Sequence, residues 1–147
     1  DEAGVWAQRL ANRLGAPVVQ AIHRPVRLWD LTAGQGRSIE ELRGRRVMAV
    51  SGLARNETFP ALLRSLGAVI EAPLGFGDHQ DYGAADWAMI RRVFAESGAE
   101  WLVTTAKDAV KWTAEEVRGL PVAVLEIGFE VTHGAEKFWN SIRQILA

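Results

Sequence analysis

The sequence predicts an α/β fold: a Rossmann-like parallel sheet of about four strands flanked by helices, preceded by a short helix and an extended segment. Three observations carry this. Four short apolar runs, at 45–50, 68–74, 100–105 and 121–127, alternate with stretches of helical period. Apolar residues in those runs are nearly continuous rather than alternating with polar ones, as in strands covered on both faces. Glycines stand at the predicted helix ends, where a left-handed residue stops the helix.

Residues 5–14 place Val5, Trp6, Leu10 and Leu14 at helical spacing, with Gly15 and Pro17 as the stop. The stretch 18–31 is rich in β-branched residues and broken by Pro25, which predicts two short extended segments at a sheet edge. Ser38 and Glu41 have capping-box spacing for a short helix ending at Gly44. The first strand, 45–50, leads into a helix over 57–66 with Phe59, Leu62, Leu63 and Leu66 on one face. A second strand follows at 68–74. The helix over 84–97 is the best patterned, with Trp87, Ile90, Val93 and Phe94 aligned and Gly98 ending it. After the third strand, Thr113 and Glu116 form a second capping box ahead of a short helix, and the fourth strand leads to a helix over 135–146. There Phe138, Trp139, Ile142, Ile145 and Leu146 are expected to face inward. The change of pattern at Ser38 divides the chain into residues 1–37, a helix and extended segments, and residues 38–147, the α/β domain.

The composition sets limits. The chain has 147 residues, 48% hydrophobic and 24% charged, and a net charge of −1, which offers no general attraction to nucleic acid. It has no cysteine, so disulfides, thiolate metal sites and cysteine nucleophiles are excluded. No apolar run reaches the length of a membrane span. The chain opens on Asp1-Glu2-Ala3 without an initiating methionine, as a processed protein or a piece of a longer polypeptide does.

In open parallel sheets, ligands bind outside the carboxyl ends of the strands. Three loops there hold most of the reactive side chains: Ser51 and Arg55 after strand one, Asp78 and His79 after strand two, and Thr104, Thr105, Lys107 and Asp108 after strand three. Each has a plain alternative. Asp78, Asp81 or Tyr82 fits a turn or helix cap. Thr104 and Thr105 suit a strand end by propensity, and Lys107 with Asp108 suits a surface ion pair. Arg55 serves as a phosphate fork or a solvated side chain. Together the threonines, Lys107 and a helix start suit phosphate binding, and Asp78 beside His79 suits orientation of an imidazole for proton transfer. The chain lacks GxxxxGK[ST], GxGxxG after the first strand, GxSxG and a His/Glu pair at zinc spacing.

Three motifs in register, SGLARNExF (51–59), FxDHQ (76–80) and TTAKDAVK (104–111), resemble the carboxyl-terminal half of the tetraacyldisaccharide 4′-kinase family, and the lead-in LRGRRVMAVSG (42–52) fits as well. The resemblance extends weakly through 16–21 and so covers nearly the whole chain. It implies a kinase that moves the γ-phosphate of ATP to the 4′-hydroxyl of a lipid disaccharide in lipid A biosynthesis, with Mg²⁺ as co-ion. Members carry a P-loop domain ahead of this region, so this chain is expected to be the carboxyl-terminal domain, inactive alone and holding no tightly bound cofactor, with the 18–31 segment in the interdomain connection. His79 would face the P-loop domain's aspartate, Asp78 would orient His79, and Ser51, Arg55, Thr104, Thr105, Lys107 and Asp108 would shape the cleft or contact phosphate. The resemblance also implies peripheral contact with the cytoplasmic face of a bacterial inner membrane. Ala106 stands where the family has glutamate, and Asn56 where many members have proline.

Two other readings stay open. Asp78, His79, Asp81 and Asp108 are a hard-ligand set for the magnesium or manganese of a free-standing phosphohydrolase. Alternatively, the chain is a non-catalytic nucleotide- or partner-binding module. Exposed apolar side chains around Trp6, Val26, Leu28 and Trp29 would then form a docking or self-associating face.

Overall fold

The computed structural model describes residues 2–15, 18–52 and 57–146. The elements run α1 (Glu2–Leu14), β1 (Gln20–Asp30), β2 (Gln35–Arg37), a 3-10 turn (Ile39–Leu42), β3 (Arg46–Ser51), α2 (Thr58–Ser65) and β4 (Val69–Gly75). They continue with α3 (Ala84–Ser97), β5 (Trp101–Thr105), α4 (Ala106–Ala109), β6 (Val122–His133) and α5 (Ala135–Leu146). The strands form one sheet in the order β2-β1-β6-β5-β3-β4. β3 is parallel to β4 and β5, and β5 is parallel to β6. The four predicted strands are therefore the parallel part, and the sheet has two more than expected.

β1 replaces the two segments expected over 18–31, and β2 lies beyond that stretch. β1 runs unbroken through Pro25, and β2 pairs with it antiparallel only from Leu28 to Asp30. Pro25 lies outside that pairing, so its missing N–H removes no bond to β2. Partners across β1 and β6 descend in one as they ascend in the other, from Arg27–Glu126 to Leu31–Val122, which makes this pair antiparallel.

Alternation along the strands builds two cores, one on each face. Val47, Ala49, Val103, Ala123 and Leu125 pack with Leu28, Leu42, Phe59 and Leu63. Met48, Val50, Leu102 and Val122 pack with Trp87, Ile90 and Leu120. Thus α2 covers one face and α3 the other, which explains the continuous apolar runs. Gly98 ends α3 at φ 70°, a conformation that costs glycine nothing.

Local signals had mixed success. The Ser38–Glu41 box forms, with the Ser38 N–H donating to Glu41, but the segment is a 3-10 turn rather than a helix. The Thr113–Glu116 box also forms, at 2.7 Å from the Thr113 N–H, yet only turns follow it. Gly119, at φ 78°, and Pro121 bring the chain into β6 before a helix can propagate.

The chain divides into two compact units, residues 1–24 with 128–147, and residues 25–127. In the first unit, Trp6, Leu14, Ile145 and Leu146 are exposed and Trp139 is half-exposed. The inward orientation expected of Trp139, Ile145 and Leu146 is therefore corrected: the described residues leave Ile145 and Leu146 largely exposed and cover Trp139 only by half. In the second unit Val26 is exposed, but Leu28 is fully buried, so Leu28 belongs to the core and not to a docking face. No helix among the described residues is long and apolar enough to cross a membrane.

Candidate functional site

The chain leaves β3 for β4 on one side, then returns across β3 to β5 on the other. The carboxyl ends of β3 and β5 therefore flank the point where strand order reverses, which is where open α/β sheets form a crevice. The sequence puts Ser51-Gly52 at one end and Thr104-Thr105 at the other.

Asp108 is the hub of this edge. It is 1% exposed. Its Oδ2 accepts the Gly52 N–H at 3.1 Å and the Thr105 hydroxyl at 2.7 Å, and its Oδ1 accepts the Tyr82 phenol at 3.0 Å. Three loops are thereby tied to one buried carboxylate, and a buried carboxylate is retained only when its oxygens are satisfied in this way. Thr105 also caps α4, its Oγ1 accepting the Asp108 N–H at 3.2 Å. Burial and the neighbouring Asp108 carboxylate push the Tyr82 phenol far up. Tyr82 further stacks edge-on with Phe76 and Trp112, at 5.1 and 5.4 Å between centroids.

The loop after β4 crosses the end of β3. The Phe76 N–H donates to the Ser51 carbonyl at 2.8 Å. The Gln80 N–H donates to Gly77, closing a four-residue turn whose third residue is His79. His79 has φ 59°, the one non-glycine positive φ among the described residues. Its side chain is 81% exposed. Asp78 accepts the His79 backbone N–H at 3.1 Å, while its carboxylate stands 3.8 Å from Nε2, too far for a hydrogen bond. Lys107 pairs with Asp78, and the ammonium group beside it holds the Asp78 carboxyl below its ordinary range. Lys111 donates to the Gln80 carbonyl at 2.7 Å. Asp86, at the start of α3, accepts the Gly83 N–H at 2.9 Å and the Gln80 amide at 3.0 Å, so it caps this helix.

The structure thus gathers Asp78, His79, Lys107, Thr105 and Asp108 on one edge. Lys107 pairs with Asp78 and not with Asp108, because Asp108 is turned into the scaffold. Ser51 and Thr104 lie at the same strand ends but are buried, at 2% and 0% exposure. The Thr104 hydroxyl has no hydrogen-bond partner among the described residues. Arg55 lies outside the described residues. The hard-ligand set does not assemble, since Asp108 is spent on Gly52, Thr105 and Tyr82, and Asp78 on Lys107. Among the described residues no three His, Asp or Glu side chains are placed to hold a metal ion.

Sequence reasoning missed Lys111 and Gly52. The four-residue spacing of Lys107 and Lys111 was a usable signal, since it sets two ammonium groups on one side of a helical turn. Nothing local marks Gly52 as the neighbour of a buried carboxylate.

The family model for tetraacyldisaccharide-1-P 4′-kinase matches residues 3–147. A tetraacyldisaccharide 4′-kinase from Syntrophus aciditrophicus is 37% identical over 116 residues, covering 79% of this chain and 31% of the relative. One from Anaeromyxobacter sp. (strain K) is 35% identical over 143 residues, covering 95% of this chain and 38% of that protein. A crystal structure of LpxK from Aquifex aeolicus in complex with ATP superposes with a TM-score of 0.62 at 25% identity, covering 90% of this chain and 38% of the other. This chain therefore spans about a third of the length of the curated relatives it matches. With likeness in sequence along nearly its whole length and the same arrangement of strands and helices, the chain belongs to the tetraacyldisaccharide-1-P 4′-kinase family.

Proposed function

We propose that this chain is the carboxyl-terminal domain of a kinase that transfers the γ-phosphate of ATP to the 4′-hydroxyl of a tetraacyldisaccharide 1-phosphate. His79 is its contribution to the chemistry. The carrying observation is the presentation of His79: an exposed imidazole, held at φ 59° at the strand-end edge, on a loop pinned on either side. A bulky residue in the left-handed region is tolerated where the surroundings over-determine it, and such residues concentrate at functional sites.

The 147 residues contain no GxxxxGK[ST] cradle, so ATP and its Mg²⁺ are assigned to a P-loop domain elsewhere in the enzyme. The donor set described above does not fit a metal, and no step runs through a metal on this chain. His79 pairs with the aspartate of the P-loop domain and orients it as that carboxylate accepts the proton of the attacking hydroxyl. Asp78 acts on the backbone, fixing the His79 N–H, while Lys107 neutralises it. The imidazole is left to turn toward its partner. Thr105 and Asp108 shape the floor of the cleft. Phosphoryl transfer rests mainly on positioning, so a residue supplied by a second domain is chemically adequate. The exposed apolar side chains of α1 and α5 suit a covering partner, and the P-loop domain of the same enzyme is the occupant proposed.

The test is His79→Ala in the complete kinase. Turnover is expected to fall roughly 10²- to 10⁴-fold, the usual contribution of a positioned acid–base group, with KM for ATP and the melting temperature nearly unchanged. Wild-type turnover would remove His79 from the mechanism.

A further inference from the structure

We infer that Tyr82 and Lys111 are positioning residues for His79, holding its loop in register with the strand-end edge. This rests on the role proposed above for His79. The residue before His79 is held by Lys107, and the carbonyl of the residue after it by Lys111 at 2.7 Å. Three residues on, the Tyr82 phenol reaches the buried Asp108 at 3.0 Å. Asp108 also takes the Gly52 N–H at the end of β3 and the Thr105 hydroxyl at the end of β5. The position of His79 is thus referred to the two strands that flank the crevice, and not to its own loop alone.

A left-handed histidine is disfavoured in isolation, so its conformation depends on such outside anchors. The Tyr82 ring is itself clamped by Phe76 and Trp112. Tyrosine is therefore suited to the post: its ring packs, and its hydroxyl specifies one height above Asp108. Lys111 acts differently, since it fixes a backbone carbonyl one residue from His79. Neither side chain bonds to the imidazole, so both act through the backbone of the loop.

The test is a set of double-mutant cycles in the complete kinase. Tyr82→Phe and Lys111→Met are each expected to lower kcat about tenfold, a loss in keeping with misplacement of a reacting group by well under 1 Å. KM for ATP should stay within about twofold, because the nucleotide is held elsewhere. In the His79→Ala background both substitutions should have almost no further effect, since the group they position is gone. Lys111→Arg should recover most of the Lys111→Met loss. An equal loss of kcat in both backgrounds would overturn the inference, as would full activity of both single variants. If His79→Ala alone is fully active, the proposed role of His79 fails and this inference fails with it. That result is distinct from equal losses in both backgrounds, which leave the His79 role standing.

Discussion

Replacing Gly52 by alanine should destabilise the 25–127 unit by about 3 kcal/mol. A Cβ at this position would lie 2.8 Å from Asp108 Oδ1, 3.1 Å from the Gly77 carbonyl oxygen and 3.4 Å from the Tyr82 hydroxyl. The first contact is shorter than real Cβ contacts allow, so the carboxylate must shift by about half an ångström, and it has no slack. Its oxygens are held by the Gly52 N–H, Thr105 and Tyr82 at 2.7 to 3.1 Å. Overpacking of this kind costs about 1–3 kcal/mol. Weakening one hydrogen bond to a buried charged group adds about 1.5–3 kcal/mol. Loss of glycine's unfolded-state freedom returns about 0.4–1 kcal/mol. At about 2–4 °C per kcal/mol for a chain of this size, the melting temperature should fall by roughly 10 °C. The assay is thermal unfolding followed by near-ultraviolet circular dichroism, with the buried Trp87 as reporter. Gly36→Ala serves as control, because nothing lies within 4 Å of a Cβ there. A Gly52→Ala melting temperature within about 2 °C of wild type would refute the argument that Asp108 is rigidly held.

Two further outcomes follow from the same network. Tyr82 is the only tyrosine in the chain, so its ionisation can be followed directly by absorbance near the phenolate band. Its folded pKa is raised, so the stability it contributes is complete below the ordinary value of about 10 and is lost as pH climbs above it. The phenolate signal should appear only as the protein unfolds, and a simple reversible titration near pH 10 would contradict the buried Tyr82–Asp108 bond. Asp78 carries the opposite sign. Lys107 lowers its folded pKa, so its contribution is present above the ordinary carboxyl value of about 4 and is lost as pH falls through the depressed folded value. Carboxyl NMR titration should find Asp78 below that range in wild type and back near it in Lys107→Met. An unchanged Asp78 titration in Lys107→Met would break the assignment of this pair.

What could be read in the sequence was what local forces decide. The four parallel strands, the helices α2 and α3 between them and the stop at Gly98 follow from continuous apolar runs, helical spacing and a residue free to adopt positive φ, whereas the helix expected after Thr113 does not form. Convergence of the Ser51, Asp78–His79 and Thr105–Asp108 loops also followed, because a parallel sheet places every strand's carboxyl end along one edge. Partner choice did not follow. Lys107 is adjacent to Asp108 in sequence yet pairs with Asp78, because α4 turns Asp108 inward and leaves Lys107 at the rim. Tyr82 and Asp78 sit in the same loop, yet one anchors it and the other steadies a backbone N–H. The continuity of β1 through Pro25 depended on where β2 ends, and the exposure of α1 and α5 depended on what lies over them. Local sequence sets periodicity and turn chemistry through each residue's own steric and solvation preferences, whereas hydrogen-bond pairing and burial are set by atoms brought close only when distant segments pack.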